Sequence, residues 1–383
     1  MLNNLIKKKL VNEIRGMTGN STNSTNGGSL ECKSASLNRK WNSLDILLGI
    51  LFIVSLIGNS IVIVVMRNVH MRRKKTALFV TSIAVADIFV LFFKFLTTVF
   101  RIYKVKIFSK ACIFVQIIPE IAALVSYWLI ITTTFERYFA VLYPLEVVII
   151  FARRRCCMII VFIVLFFIIL VNTRTLCSEF ISEKNIFCPM KAYKNEVCSL
   201  YVNYVYPWIK SAFVSWFPSI IGIILNGRII MELFKASKNR RVISHLNTLN
   251  SARMKENEKR HAELFLNFTK LNDSNLKNKS KSKEKQITIM LCTISVTFLL
   301  FTLPYTICEI LRKMSSNMRV LIDRYAQRVI MFPLDLLHSC NFVLYYLSSQ
   351  QFRSALFKIF TKFLKKRDQK NFNVINILSS TKK

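Results

Sequence analysis

The chain has 383 residues, of which 53% are hydrophobic, and a mean hydropathy of +0.39. A water-soluble fold of this size has too little interior to hide that much apolar side chain, and with only 8 Gly and 7 Pro a loop-rich or repeat architecture is disfavoured too. The net charge of +35 argues for no nucleic-acid partner, because the Lys and Arg sit mostly in gaps between long apolar runs, as the flanks of a membrane protein do.

Taken in chain order, residues 1–42 are a polar leader. It carries Lys7, Lys8 and Lys9 and has no apolar core before Trp41, so the sequence predicts no cleavable signal peptide. The sequons at Asn20 and Asn23 suit a leader that is extracellular and glycosylated. Seven apolar stretches follow, at roughly 43–66, 76–100, 112–136, 155–172, 207–234, 286–311 and 326–348. Each comes close to or exceeds the length of about 20 residues that crosses a bilayer. In lipid the backbone must satisfy its own hydrogen bonds, so these segments should be helices. The expected fold class is an all-α membrane protein, a seven-transmembrane helix bundle over 43–348.

The basic clusters Arg72-Arg73-Lys74-Lys75 and Arg153-Arg154-Arg155 fall on one side of this arrangement, together with the Lys-, Asn- and Ser-rich residues 236–285. The positive-inside bias puts that side in the cytoplasm and the N-terminus outside, in a multi-pass protein of the plasma membrane. Residues 236–285 read as a long basic cytoplasmic loop with helical extensions at its ends. The sequons at Asn267, Asn272 and Asn278 lie in that loop, out of reach of the modifying enzyme. Beyond the last span, Phe352, Leu356, Phe360 and Phe363 recur every three or four residues beside Arg353, Lys358 and Lys362. This predicts an amphipathic eighth helix over 349–364, lying on the cytoplasmic membrane surface, with 365–383 as a tail.

The order and spacing of several short motifs resemble those of the rhodopsin-like, G-protein-coupled receptors. They are Gly58-Asn59-Ser60 in span one, Ala84-Val85-Ala86-Asp87 in span two, and Glu136-Arg137-Tyr138 at the end of span three, followed by Val141, Pro144 and Leu145. Span six carries Phe298 and Phe301-Thr302-Leu303-Pro304; span seven carries Asn341-Phe342-Val343-Leu344-Tyr345, followed by Phe352-Arg353. Departures from the family pattern are Thr302 in place of a tryptophan, Phe342 in place of a proline, and a fourth span without its tryptophan.

The resemblance implies roles for these residues. Glu136, Arg137 and Tyr138, with Phe298, Pro304, Asn341 and Tyr345, would form the activation switch, and Arg137 and Leu145 would contact a heterotrimeric G protein. A guanidinium that can trade one set of directional hydrogen bonds for another suits a switch, and Pro304 removes a backbone bond and should kink span six. Asp87, an intramembrane carboxylate too costly to leave alone, would be partnered by Asn59, Ser126 and Asn341. It could hold a sodium ion with Ser126, since a hard cation takes oxygen ligands; the alternative is a neutral Asp87 hydrogen-bonded within the bundle. Leu337 and His338 stand where the family's ion site commonly has small polar groups. No other cofactor is expected. Cys112 lies at the family's spacing from Arg137 for an extracellular disulfide. The resemblance implies Cys112–Cys188, with Cys198 as the other choice and a second bridge possible among the remainder.

Pro119 stands at the span-three position that bears an aspartate in amine receptors, and span seven has no lysine for a retinal Schiff base. Amine and retinal ligands are therefore disfavoured. Glu120, Glu309 and Asp335 are the acidic groups in the outer halves of spans three, six and seven, and could pair with a cationic peptide. In this the chain loosely resembles the FMRFamide-type neuropeptide receptors. The plainer reading is that these acids offset nearby Lys and Arg. An orphan or chemosensory receptor of the same fold is the alternative. A transporter or channel would show inverted repeats with broken helices, and an intramembrane enzyme a nucleophile–base pair or a His-Glu-x-x-His motif. Neither signature is found, so no enzyme activity is expected.

Overall fold

In a computed structural model the described residues are 42–68, 76–103, 109–180, 190–253, 288–312 and 327–362, with single positions between them. The leader with Asn20 and Asn23, Cys188, most of the 236–285 segment and the 365–383 tail lie outside the described residues. Among the described residues seven helices are long and apolar enough to cross a membrane. They are α1 (Ser43–Arg67), α2 (Thr76–Ile102), α3 (Ser109–Leu142), α4 (Arg153–Leu176), α5 (Glu196–Ala236), α6 (Thr288–Arg312) and α7 (Gln327–Ser348). An eighth helix, α8, runs over 350–362. The chain is a multi-pass helical bundle, as the apolar runs predict.

Most helices overrun the predicted spans by a few residues, because polar ends add turns outside the apolar core. α4 begins at Arg153 and extends to Leu176, past the short uncharged stretch that marks it in the sequence. The last helix of α5 continues to Arg253, one of the extensions expected for the 236–285 segment.

Local chemistry sets the ends. Asp45 at the start of α1 accepts a hydrogen bond from the Asn42 backbone N–H at 3.3 Å, and its charge suits a helix N-terminus. Ser349 caps α8 by accepting from the Phe352 N–H at 3.2 Å. α5 is less regular than its apolar run suggests: π-helical turns occur at Tyr201–Val205 and Ala212–Trp216. Each contains the residue four before a proline, Pro207 and Pro218. A proline cannot donate to that carbonyl and its ring crowds it, so the wider turn relieves the conflict.

α2 packs along α1 and α3, and α3 also meets α4 and α5. Leu129, Ile130 and Ile131 of α3 are buried with Phe79, Ile83 and Leu91 of α2. At Gly58 of α1 an added Cβ would stand 2.9 Å from the Phe342 Cβ, so a glycine allows the α1–α7 approach. Ile46, Ile50, Ile53 and Ile57 of α1 and Phe162, Leu165 and Ile169 of α4 point outward and exposed. Hydrocarbon is the solvent that makes such a surface favourable.

Antiparallel strands β1 (Ser178–Phe180) and β2 (Met190–Tyr193) lie between α4 and α5. A Cys177–Cys198 disulfide closes this segment.

Candidate functional site

At one end of α3, Glu136 and Arg137 are both buried. The Arg137 guanidinium donates to the Glu136 carboxylate at 2.9 Å and to the Thr76 hydroxyl of α2. Thr76 also donates to Glu136, 3.1 Å from each oxygen. A buried pair with a third group from another helix is a fixed arrangement, unlike a solvated pair at a helix end. Tyr138 packs at the same end against Phe139 and Tyr143. Leu145 follows, 85% exposed at the start of the turn Glu146–Ile150.

Midway along the bundle Asp87 is fully buried. Its Oδ1 accepts from the Ser126 hydroxyl of α3 at 2.7 Å and lies 2.7 Å from the His338 Nδ1 of α7. Its Oδ2 accepts from the Asn341 amide at 2.5 Å. Ser126 and Asn341 are thus brought to Asp87 as expected, whereas Asn59 is not. Its amide donates to the Ser55 hydroxyl at 2.9 Å and the His338 carbonyl at 3.0 Å, one residue removed from the carboxylate. His338, noted in the sequence as a departure at the ion site, takes that place beside the carboxylate.

These residues do not fit a sodium ion. Against an ionised Asp87, Ser126, Asn341 and the His338 Nδ1 all present hydrogens, whereas a hard cation needs converging oxygen lone pairs. The amide oxygens of Asn59 and Asn341 have no partner among the described residues.

From His338 the contacts run on. Its Nε2 is 3.3 Å from the Tyr127 hydroxyl and the two rings stack at 5.4 Å. Tyr127 in turn meets Phe298 of α6, with centroids 5.4 Å apart. Pro304 lies inside α6, and Thr302, fully buried where the family often has tryptophan, turns its hydroxyl back to the Phe298 carbonyl at 2.9 Å. Two side-chain bonds tie α6 to α5: Asn226 to Ser295 at 2.7 Å, and Ser215 to Thr306. Neither was legible without the inter-helix register. Trp128 of α3 packs on Phe167 of α4 and Phe213 of α5 and donates to the Phe213 carbonyl at 2.9 Å, an aromatic anchor for a fourth helix that lacks its own tryptophan.

Towards the end that carries Cys112, each expected ligand-pocket acid already has a cation. Glu120 accepts from Lys210 of α5 at 2.7 Å and from the Tyr206 hydroxyl at 2.9 Å, with Arg174 of α4 at 3.9 Å. Asp335 pairs with Lys94 of α2, and Glu309 with Arg312 one turn along α6 at 3.0 Å. These pairs agree with the plainer reading, in which the acids offset neighbouring Lys and Arg; a cationic ligand that used them would have to compete with those partners. A small cleft beside Glu120 is lined by Gln116, Ile117, Val171, Arg174 and Thr175.

Cys112 is disulfide-bonded, with its partner outside the described residues. Cys198 is excluded as that partner, because it is bonded to Cys177. At the other end, Tyr345 is buried and its hydroxyl has no hydrogen-bond partner among the described residues. Its ring lies 5.8 Å from that of Phe352, the buried first anchor of α8. Arg353 donates to the Tyr346 and Leu347 carbonyls at 2.7 and 2.9 Å, closing the end of α7.

Comparison with known proteins agrees with this layout. Residues 58–345 match the family described as 7 transmembrane receptor (rhodopsin family). A cephalotocin receptor 1 of Octopus vulgaris is 31% identical over 112 residues, a match covering 27% of each chain. The matched family segment takes in Gly58, Asp87, Glu136-Arg137, Pro304 and Tyr345. The chain belongs to the rhodopsin family of seven-transmembrane receptors, a family of receptors rather than of enzymes.

Proposed function

We propose that the chain is a plasma-membrane receptor, with its leader and Cys112 outside, that binds an extracellular peptide and activates a heterotrimeric G protein. The observation that carries the signalling half is the buried Glu136–Arg137–Thr76 cluster. It holds the guanidinium inside the bundle, and outward movement of the inner end of α6 would open a cleft through which Arg137, on leaving Thr76 and Glu136, could reach the G protein. Pro304 leaves a carbonyl in α6 without its helical donor, so the helix can pivot there. Ligand binding shifts an existing equilibrium towards the open form by binding that form more tightly. The exposed Leu145 then offers an apolar contact beside the opened cleft.

The peptide half is supported by the similarity to the cephalotocin receptor, a protein named for its ligand. With Glu120, Asp335 and Glu309 already paired, a ligand would exchange hydrogen bonds with these pairs rather than supply a missing cation. A peptide backbone offers both donors and acceptors, which suits such an exchange.

The test is a second-messenger screen in cells expressing the full chain, with cephalotocin, Arg-Phe-amide peptides and biogenic amines. A peptide is expected to evoke a concentration-dependent response. Activation by an amine with no response to any peptide contradicts the ligand reading.

A further inference from the structure

We propose that the His338 imidazole occupies the place of a cation beside Asp87, so that the polar core of this receptor is closed to sodium. The Asp87 carboxylate of α2 lies fully buried against α3 and α7, and its oxygens are already engaged by Ser126, His338 and Asn341. With Asp87 ionised, each of these groups directs a hydrogen at it. A sodium ion brought to Oδ1 would meet the Nδ1–H bond dipole head-on and would have to displace the ring.

The ring is not free to leave. His338 is fully buried. Its Nε2 faces the Tyr127 hydroxyl and its plane stacks on Tyr127 at 20°. Its carbonyl accepts from both Ser55 and Asn59, at 3.1 and 3.0 Å. Swinging the side chain out would strip a buried carboxylate of one donor and break the stack, both costly away from water.

One consequence separates this arrangement from an ion site. A dissociable ion ties helices together only while bound, so its effect follows salt concentration. His338 makes the same ties covalently anchored to α7: to α2 through Asp87, to α3 through Tyr127, and through Tyr127 to Phe298 of α6. The resting arrangement is then indifferent to sodium.

The test uses the purified full-length chain in detergent, with unfolding followed by tryptophan fluorescence in sodium chloride and in N-methylglucamine chloride at matched ionic strength. The wild type is expected to unfold at the same temperature in both. His338→Ser, which removes the ring and leaves an oxygen, is expected to unfold about 2–4 °C higher in sodium, and a further Asp87→Asn change should abolish that difference. A sodium-specific rise in the wild type that Asp87→Asn removes would overturn the proposal. So would a His338→Ser protein that folds and ignores sodium. If that variant does not fold, His338→Asn carries the same comparison, and the wild-type arm decides by itself. The readout involves no ligand or G protein, so its failure is distinct from a failure of the peptide-receptor reading.

Discussion

The Glu120 carboxylate of α3 accepts a hydrogen bond from the Lys210 ammonium of α5 at 2.7 Å. Glu120 is also the acceptor for the Tyr206 hydroxyl, so it serves as a hub joining α3 to α5. Removing the hub should cost more than removing one spoke. Glu120→Ala is expected to lower stability by about 2 kcal/mol and Lys210→Ala by about 1, the half-exposed lysine being partly solvated in either case. Thermal unfolding of both variants and the double variant checks this; equal losses would dissolve the hub.

Gly58 tests the α1–α7 contact. Gly58→Ala is expected to cost about 1–3 kcal/mol, because the new methyl would press on the Phe342 Cβ, which cannot rotate away. Phe342→Ala should not rescue it, since that change keeps the Cβ. Gly227→Ala, with nothing within 4 Å of the added methyl, is the control and should not destabilise; relief of glycine's poor helix propensity should stabilise it by about 0.4–1 kcal/mol.

Thr76 donates to Glu136 and receives from Arg137. Thr76→Val keeps the shape and removes the hydroxyl. If the cluster restrains the resting form, losing about 1 kcal/mol there raises the open population about fivefold. Ligand-independent second-messenger output, normalised to surface expression, should rise accordingly. Unchanged or reduced output would show that the hydroxyl does not restrain the switch.

α8 is held by Phe352 from within and by Arg353 at the α7 terminus. Phe352→Ala is expected to speed hydrogen exchange across 350–362 at least tenfold, since a buried phenyl typically contributes about 3–5 kcal/mol. Phe357→Ala, whose side chain is exposed, should leave exchange in detergent unchanged.

The seven helices were legible because lipid demands about 20 apolar residues in a row, a signal that needs no knowledge of contacts. Asp87, Ser126 and Asn341 were legible as a set through family spacing, and they do meet. His338 was legible as a departure in the family's ion site, but its bond to the carboxylate was not, because sequence says which helix it is on but not which way that helix turns. The same reason hid the pairing of Lys94 with Asp335, 241 residues apart, and of Glu120 with Lys210. The acids were visible in the sequence; their cations needed the register of neighbouring helices. The wide turns of α5 were hidden differently, since a proline signals a disturbed helix without saying whether it kinks or widens.

The proposed signalling depends above all on Arg137 as the group that passes the signal. The decisive measurement is receptor-stimulated nucleotide exchange on a heterotrimeric G protein, using a peptide that activates the wild type, compared with Arg137→Ala at equal surface expression. At least a tenfold loss of exchange, with peptide binding retained, is the expected result, corresponding to about 1.4 kcal/mol or more of lost coupling. Exchange as fast as in the wild type would contradict the assignment of the switch.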